Sequence, residues 1–513
     1  MHIDARTLPN GSVLEADLCI VGAGAAGISM ALEWIGSRHK VLLLEGGGFE
    51  YEPAMQDLYR GEIVGLPYYP LQAARLHYFG GTTGHWAGFC STLDPIDFEK
   101  REWVPHSGWP IRREELDPFY VRAQPLLELG PYEYAAADWQ RRDPTLVPLP
   151  LDPRVVWTKM WQFSPPTRFG SRYRDPVVAA PNVHLYTHAN VCELEANDSV
   201  TSIQGLRVRT LDGKEHRARA QYYVLACCSI QNARLLLASN RRTPAGLGNE
   251  HDLVGRFFME HIEMPGGQLA LAPDAADPKM YGMEFGVTKA RGELALNGAV
   301  QRERRILNGT VSLEAAAPGE EAKSNFQWAT PELLAAFREW EAHGRAGPPP
   351  AGLPEPPPPG SRLFHLLARQ EQAPNPDSRV LLGTERDALD MPRAKLDWRL
   401  TQLDWRSFHV FYEVLGRELG RSGAGRVQLL DWVRREDGTW PSTLSGGWHH
   451  LGTTRMHENP RFGVVDATCR VHGLGNLYVA GASVYPTSGA VNPTLTLVAL
   501  SLRLSDHLKR TLA

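Results

Sequence analysis

Two side chains near the C-terminus have the types and spacing to move a proton. His449 stands in the run Gly447-Trp448-His449-His450-Leu451-Gly452-Thr453, and Asn492 follows 43 residues later in Asn492-Pro493-Thr494. A neutral imidazole accepts a proton near working pH, whereas a carboxamide does not titrate and can only hold an oxygen in place. Brought together, the two suit removal of a hydroxyl proton, with His450 as a neighbour that touches the same molecule. His449, His450 and His457 also raise the question of a metal. No cysteine or carboxylate completes a ligand set at workable spacing, so no metal is expected.

The elements that must position this chemistry begin at the other end of the chain. Asp17 to Val21 reads as a short apolar strand that runs into Gly22-Ala23-Gly24-Ala25-Ala26-Gly27. Ile28, Ala31, Leu32 and Ile35 then keep helical spacing, and Lys40 to Leu44 reads as a second strand closed by Glu45. Strand, glycines, helix, strand and acid in this order form a βαβ unit that takes a dinucleotide. Gly22 permits the tight turn, Gly24 and Ala25 leave room for a pyrophosphate at the helix N-terminus, and Gly27 lets helix and strand pack closely. Glu45 is placed to accept hydrogen bonds from the adenosine ribose. The unit by itself serves NAD and FAD alike.

Composition narrows the partners. A chain of 513 residues exceeds one compact core, so two or three domains are expected. Hydrophobic content of 43%, charged content of 22% and a net charge of -4 describe an ordinary globular protein with no basic stripe for nucleic acid and no polybasic membrane anchor. No apolar run reaches about 18 residues, the length a membrane span requires. The first residues carry neither a basic-then-apolar leader nor a twin-arginine signal, so cytoplasmic residence is expected. Cys19, Cys90, Cys192, Cys227, Cys228 and Cys469 show no C-x-x-C spacing and read as reduced thiols. The run Gly344 to Gly360, GRAGPPPAGLPEPPPPG, can be neither helix nor central strand and reads as a semi-rigid surface loop.

From Tyr78 the sequence YFGGTTGHWAGFCSTLDPIDF closely resembles the glucose-methanol-choline oxidoreductases. The resemblance extends over nearly the whole chain, with specific motifs at 18–50, 78–110 and 447–510. It implies FAD as cofactor. It lays Gly81, Thr82 and Thr83 along the flavin, with His85, Trp86 and Gly88 beside it. A similar T-H-W run in pyranose 2-oxidases ties its histidine covalently to the flavin. Gly84 stands where that motif has threonine, so His85 is expected to pack beside the ring without a bond. Val191 falls where the family's backbone meets the adenine, and Ala226 where the returning strand reaches the cofactor. Gly481, Ala482, Asn492 and Thr494 complete the cofactor set. His449 matches the family's H-x-x-G-T base, and Asn492 its second active-site position. Gln372 is a candidate substrate contact.

The fold implied is α/β, a Rossmann-like doubly wound FAD-binding domain with an inserted α+β substrate domain. Residues 1–110, 181–265 and 445–513 are assigned to the first. Residues 111–180 and 266–444, with the proline-rich loop 344–360, are assigned to the second. The activity implied is oxidation of a hydroxyl to a carbonyl by hydride transfer to flavin N5. Sugars and glycosides are the expected substrates, with oxygen, a quinone or a redox protein as electron acceptor. Oxidation of a non-sugar alcohol in a biosynthetic pathway and flavin binding without catalysis are the alternatives.

Overall fold

In the computed structural model of the protein the described residues are 1–282, 289–316, 339, 362–435 and 437–513. The proline-rich run 344–360 lies outside them.

The first apolar strand is longer than its sequence pattern indicates, Val13–Val21, and occupies the middle of an eight-stranded sheet. Leu18, Cys19 and Ile20 are wholly buried, because a parallel strand covered on both faces hides both rows of side chains. Val41–Leu44 pairs parallel on one side of it and Glu215–Leu225 parallel on the other. Val183–Thr187 and His2–Asp4 continue the parallel run beyond Val41–Leu44. Ile203–Arg209 and Asn190–Ala196 close the other side as antiparallel strands. Leu477–Val479 adds a short parallel strand beside Tyr223–Leu225.

The register of these strands decides where a ligand can sit. Leu225 is level with both Val21 and Val479, so the chain leaves the sheet three times at one edge, at Gly22, Ala226 and Ala480. The crevice beyond the carboxyl ends of parallel strands is where open α/β sheets bind ligands. The helices Ala25–Trp34 and Thr494–Thr511 cover this layer and are tied together by Lys509 on Glu33 at 3.1 Å. Arg122, on the helix Arg113–Leu126, bridges Glu33 at 2.8 Å and Asp506 at 2.7 Å. This helix and Phe169–Ala179 both fall within 111–180, and both pack on helices of the nucleotide layer.

A second sheet of seven antiparallel strands runs in the order Gly425–Leu429, Ile262–Leu271, Arg362–Gln370, Gly309–Ala315, Ala290–Leu296, Val156–Phe163 and Phe89–Cys90. The helix Gln402–Arg421 covers one face with Phe408, Phe411, Tyr412, Leu415 and Leu419, and the Tyr412 hydroxyl donates to the Leu366 carbonyl at 2.8 Å. Cross-strand register groups Glu263, Arg369 and Thr310, and Thr310 in turn donates to Glu293 at 2.8 Å. A small third sheet joins Arg379–Arg386, Pro392–Asp397 and Gly61–Ile63. The architecture is thus the doubly wound α/β layer with an interleaved antiparallel α+β part that the motifs imply.

Candidate active site

A cavity of about 530 Å³ lies against the carboxyl ends of the parallel strands and reaches Glu263 and Arg369 of the antiparallel sheet. Of the residues singled out for cofactor, base or substrate, all but Gly27 and Gln372 line it. Gly27 lies under the turn, where a Cβ would come within 1.9 Å of the Gly22 carbonyl oxygen. Gly22 itself has φ +100°, a backbone state that side chains disfavour. A Cβ on Gly24 would meet nothing within 4 Å. That open space at the N-terminus of the helix Ala25–Trp34 is the room a pyrophosphate needs.

Glu45 is buried and spans the turn. One carboxylate oxygen accepts the Ala23 amide at 2.9 Å and the other accepts the Gly47 amide at 3.0 Å. Each oxygen keeps a further lone pair for a ligand hydroxyl. Burial pushes the Glu45 carboxyl above its ordinary pKa, against these backbone donors. Farther along the wall, His85 Nε2 is buried without a hydrogen-bond partner, and its ring centroid lies 5.4 Å from that of Trp448. The open cradle over Gly24 and this unpartnered ring nitrogen both fit FAD.

At the far end of the cavity the chain brings three segments together. Residues 259–262 and 446–451 run antiparallel through the bridges Met259 to Leu451 and Ile262 to Gly446, which sets His261 beside His449. Trp448 holds φ +61°, strained for a bulky residue, and the next amide, of His449, donates to Glu260 Oε1 at 2.6 Å. Gly447 has no side chain for a reason: a Cβ there would lie 2.5 Å from Glu263 Oε1. Asn492 stands two residues before the helix Thr494–Thr511, ahead of its N-cap Pro493, and its Nδ2 lies 3.1 Å from His449 Nε2.

The electrostatics keep the imidazole uncharged. Burial, followed by His261, Arg369 and His450, holds His449 well below the usual histidine pKa. His450 is pushed down to about 3 by burial and Arg75, and its Nε2 lies 2.9 Å from the Tyr68 hydroxyl. Tyr68 also bonds Glu260, a fully buried carboxyl raised by burial to about 7. Glu263 accepts from Arg369 Nε at 2.6 Å and stands 3.8 Å from His449 Nδ1.

Gln372 requires a correction. It is fully buried outside the cavity lining, where its Oε1 accepts the Glu260 amide and the Trp398 indole N–H, both at 2.9 Å. Its Nε2 donates to the Arg399 carbonyl at 3.0 Å, so its amide braces the loop behind the site. Arg369, three residues earlier, reaches the cavity instead. Sequence reasoning also passed over Glu263, His261 and Trp161. The one visible signal was Glu260-His261-Ile262-Glu263, three polar groups in an otherwise apolar stretch.

The FAD dependent oxidoreductase family profile matches residues 17–250, the stretch that supplies the glycine turn and most of the parallel sheet. The GMC oxidoreductase profile matches residues 374–501, the stretch that supplies His449 and Asn492. The chain therefore carries a GMC oxidoreductase domain in its C-terminal part. The oxidoreductase is 25% identical to the 2-methyl-1,2-propanediol dehydrogenase of Mycolicibacterium austroafricanum, over 97% of its own length and 95% of the relative's. It is 24% identical to the fructose dehydrogenase large subunit of Gluconobacter japonicus, over 97% and 98% of the two chains. A crystal structure of formate oxidase superposes with TM-score 0.56 at 17% identity, over 98% of this chain and 99% of the other, and shares its fold. The protein is an FAD-dependent oxidoreductase that acts on an alcohol or sugar hydroxyl.

Proposed function

We propose that the enzyme oxidises a hydroxyl of a sugar or glycoside to a carbonyl, with His449 as the base and Asn492 holding the hydroxyl oxygen. The observation that carries this reading is the neutral imidazole and carboxamide, 3.1 Å apart at the cavity wall. A substrate hydroxyl entering between them donates its hydrogen to His449 Nε2 and accepts one from Asn492 Nδ2. The proton passes to His449 as the carbinol C–H bond breaks. The bound flavin supplies the hydride acceptor. Trp448, Trp86 and the glycine loop wall the site and limit the access of water.

The sugar reading draws on the Glu263–Arg369 pair beside the base. A carboxylate offers acceptors and a guanidinium donors to neighbouring hydroxyls, and the pair together carries no net charge, which suits an uncharged polyol. One relative is named for fructose and another for 2-methyl-1,2-propanediol, both of which have adjacent hydroxyls. The second name also supports the alternative, a non-sugar alcohol from a biosynthetic pathway. Anaerobic mixing with sugars, glycosides and simple diols, followed by flavin absorbance, decides between them. Bleaching by a sugar or glycoside supports the proposal, bleaching by simple alcohols alone supports the alternative, and bleaching by none overturns both.

FAD is held without a covalent bond, with His85 packed at its edge, so acid precipitation should release all the yellow colour. The electron acceptor is oxygen, a quinone or a redox protein. Among the described residues no helix is long and apolar enough to cross a membrane, and with the unpaired thiols this supports a cytoplasmic location. The chain divides into an FAD part, 1–110, 181–265 and 445–513, and a substrate part, 111–180 and 266–444. The helices Arg113–Leu126 and Phe169–Ala179 of the substrate part serve as its braces on the FAD part.

A further inference from the structure

We propose that His261 and Trp161 are positioning residues that hold His449 in the one neutral tautomer whose Nε2 lone pair is bare. The inference rests on the reading of His449 as base and adds how its proton acceptor is kept free.

Two ends of a hydrogen-bond chain require the same arrangement independently. At one end the Trp161 indole N–H, which can only donate, lies 3.3 Å from Asn492 Oδ1. That contact orients the amide and turns Nδ2, which carries only hydrogens, toward His449 Nε2 at 3.1 Å. Nε2 must therefore be the acceptor. At the other end the Gly489 carbonyl, which can only accept, lies 2.9 Å from His261 Nε2. That nitrogen carries a hydrogen, and His261 is neutral because burial lowers it to about 4, so its Nδ1 is bare. The 3.0 Å contact between the two Nδ1 atoms is then a bond only if His449 Nδ1 carries the hydrogen.

All four bonds point one way, from Trp161 through Asn492, His449 and His261 to Gly489. The other tautomer of His449 would set N–H against N–H at Asn492 and leave two bare nitrogens facing each other at His261. Trp161 and His261 are both fully buried, so no water relieves those mismatches. Glu260 Oε1 adds rigidity by accepting the backbone amides of both imidazole residues, at 2.9 Å from His261 and 2.6 Å from His449. His261 can share the proton that His449 receives, but its own Nε2 ends on a backbone carbonyl. The chain therefore positions the base and offers no exit through Gly489.

The test uses FAD-loaded protein carrying 15N-labelled histidine. His261→Phe removes the acceptor for Nδ1, His261→Asn restores an acceptor oxygen, and Trp161→Phe removes the donor to Asn492. In the wild-type enzyme the His449 ring should show its hydrogen on Nδ1. His261→Phe should populate the Nε2–H tautomer and slow flavin reduction about tenfold or more, with KM little changed and FAD retained, a fraction of the full value of a general base. His261→Asn should recover most of that rate, and Trp161→Phe should lose a smaller part of it. A wild-type ring protonated on Nε2, an unchanged ring signal and rate in His261→Phe, or a loss that His261→Asn fails to restore would overturn the proposal. Normal reduction in His449→Ala would instead sink the base assignment, and the ring signal still reports the tautomer separately.

Discussion

The two ends of the cavity are built from different materials. The nucleotide end is a short continuous stretch, Gly22 to Glu45, in which backbone amides, a helix N-terminus and missing side chains make the cradle. The catalytic end is made of side chains from five distant segments: Trp161, the 260–263 stretch, Arg369, His449 and Asn492. Backbone can offer many weak donors to a large anion but cannot change its protonation state. A site that must accept one proton at one atom needs titratable side chains whose neighbours fix both charge and direction.

The largest expected effect breaks the nucleotide end alone. Gly24→Val should yield folded, colourless protein, because a side chain there meets no protein atom at its Cβ yet fills the place of the pyrophosphate. Gly27→Val, by contrast, should fail to fold correctly, since its Cβ would overlap the Gly22 carbonyl. Circular dichroism together with FAD stoichiometry separates the two. Equal FAD loss with equal unfolding would show that the cradle does not distinguish room for a ligand from room for a helix.

At the catalytic end, His449→Ala should keep FAD and lose roughly a hundredfold or more in the rate of flavin reduction, the usual scale of general base catalysis. Stopped-flow reduction of the loaded variant is the measurement. Asn492→Ala should cost less, about tenfold, the order of one hydrogen bond to the reacting oxygen. His450→Ala should also fall short of His449→Ala, because its ring nitrogen faces Tyr68. If His450→Ala were the more damaging of the two histidine variants, the base would have to be reassigned.

The smallest expected effect is on pH dependence. His449 is active when neutral and burial lowers its pKa, so acid must fall well below the ordinary value of about 6.5 before the base is protonated. Flavin reduction should therefore stay level as pH drops through that value. Glu260, raised to about 7 by burial, ionises in this window and lies beneath the His449 amide. Any shallow inflection near neutrality should disappear in Glu260→Gln. A full loss of rate near pH 6.5 would mean that the base is solvated as an exposed histidine is.

The same contrast explains what could be read in advance. The glycine turn was legible because its spacing is local and its chemistry is that of backbone. His449 and Asn492 were legible only because each sits in a motif that resembles a known family. Gln372 was misread because its polarity says nothing about which way it faces, and its amide is used up by Glu260, Trp398 and Arg399. Glu263 and Arg369 were invisible because their meeting depends on the register of two strands about a hundred residues apart.

By itself the sequence determined the βαβ unit and its ligand class, since these follow from residue types at short spacing, and it singled out His449 and Asn492 by the motifs around them. The tertiary structure alone decided that His449 is neutral, that its amide partner is oriented by Trp161, and that His261 stands behind it. Burial, strand register and the direction of a hydrogen bond are properties of groups far apart in the chain, and they take values only once the layers have packed.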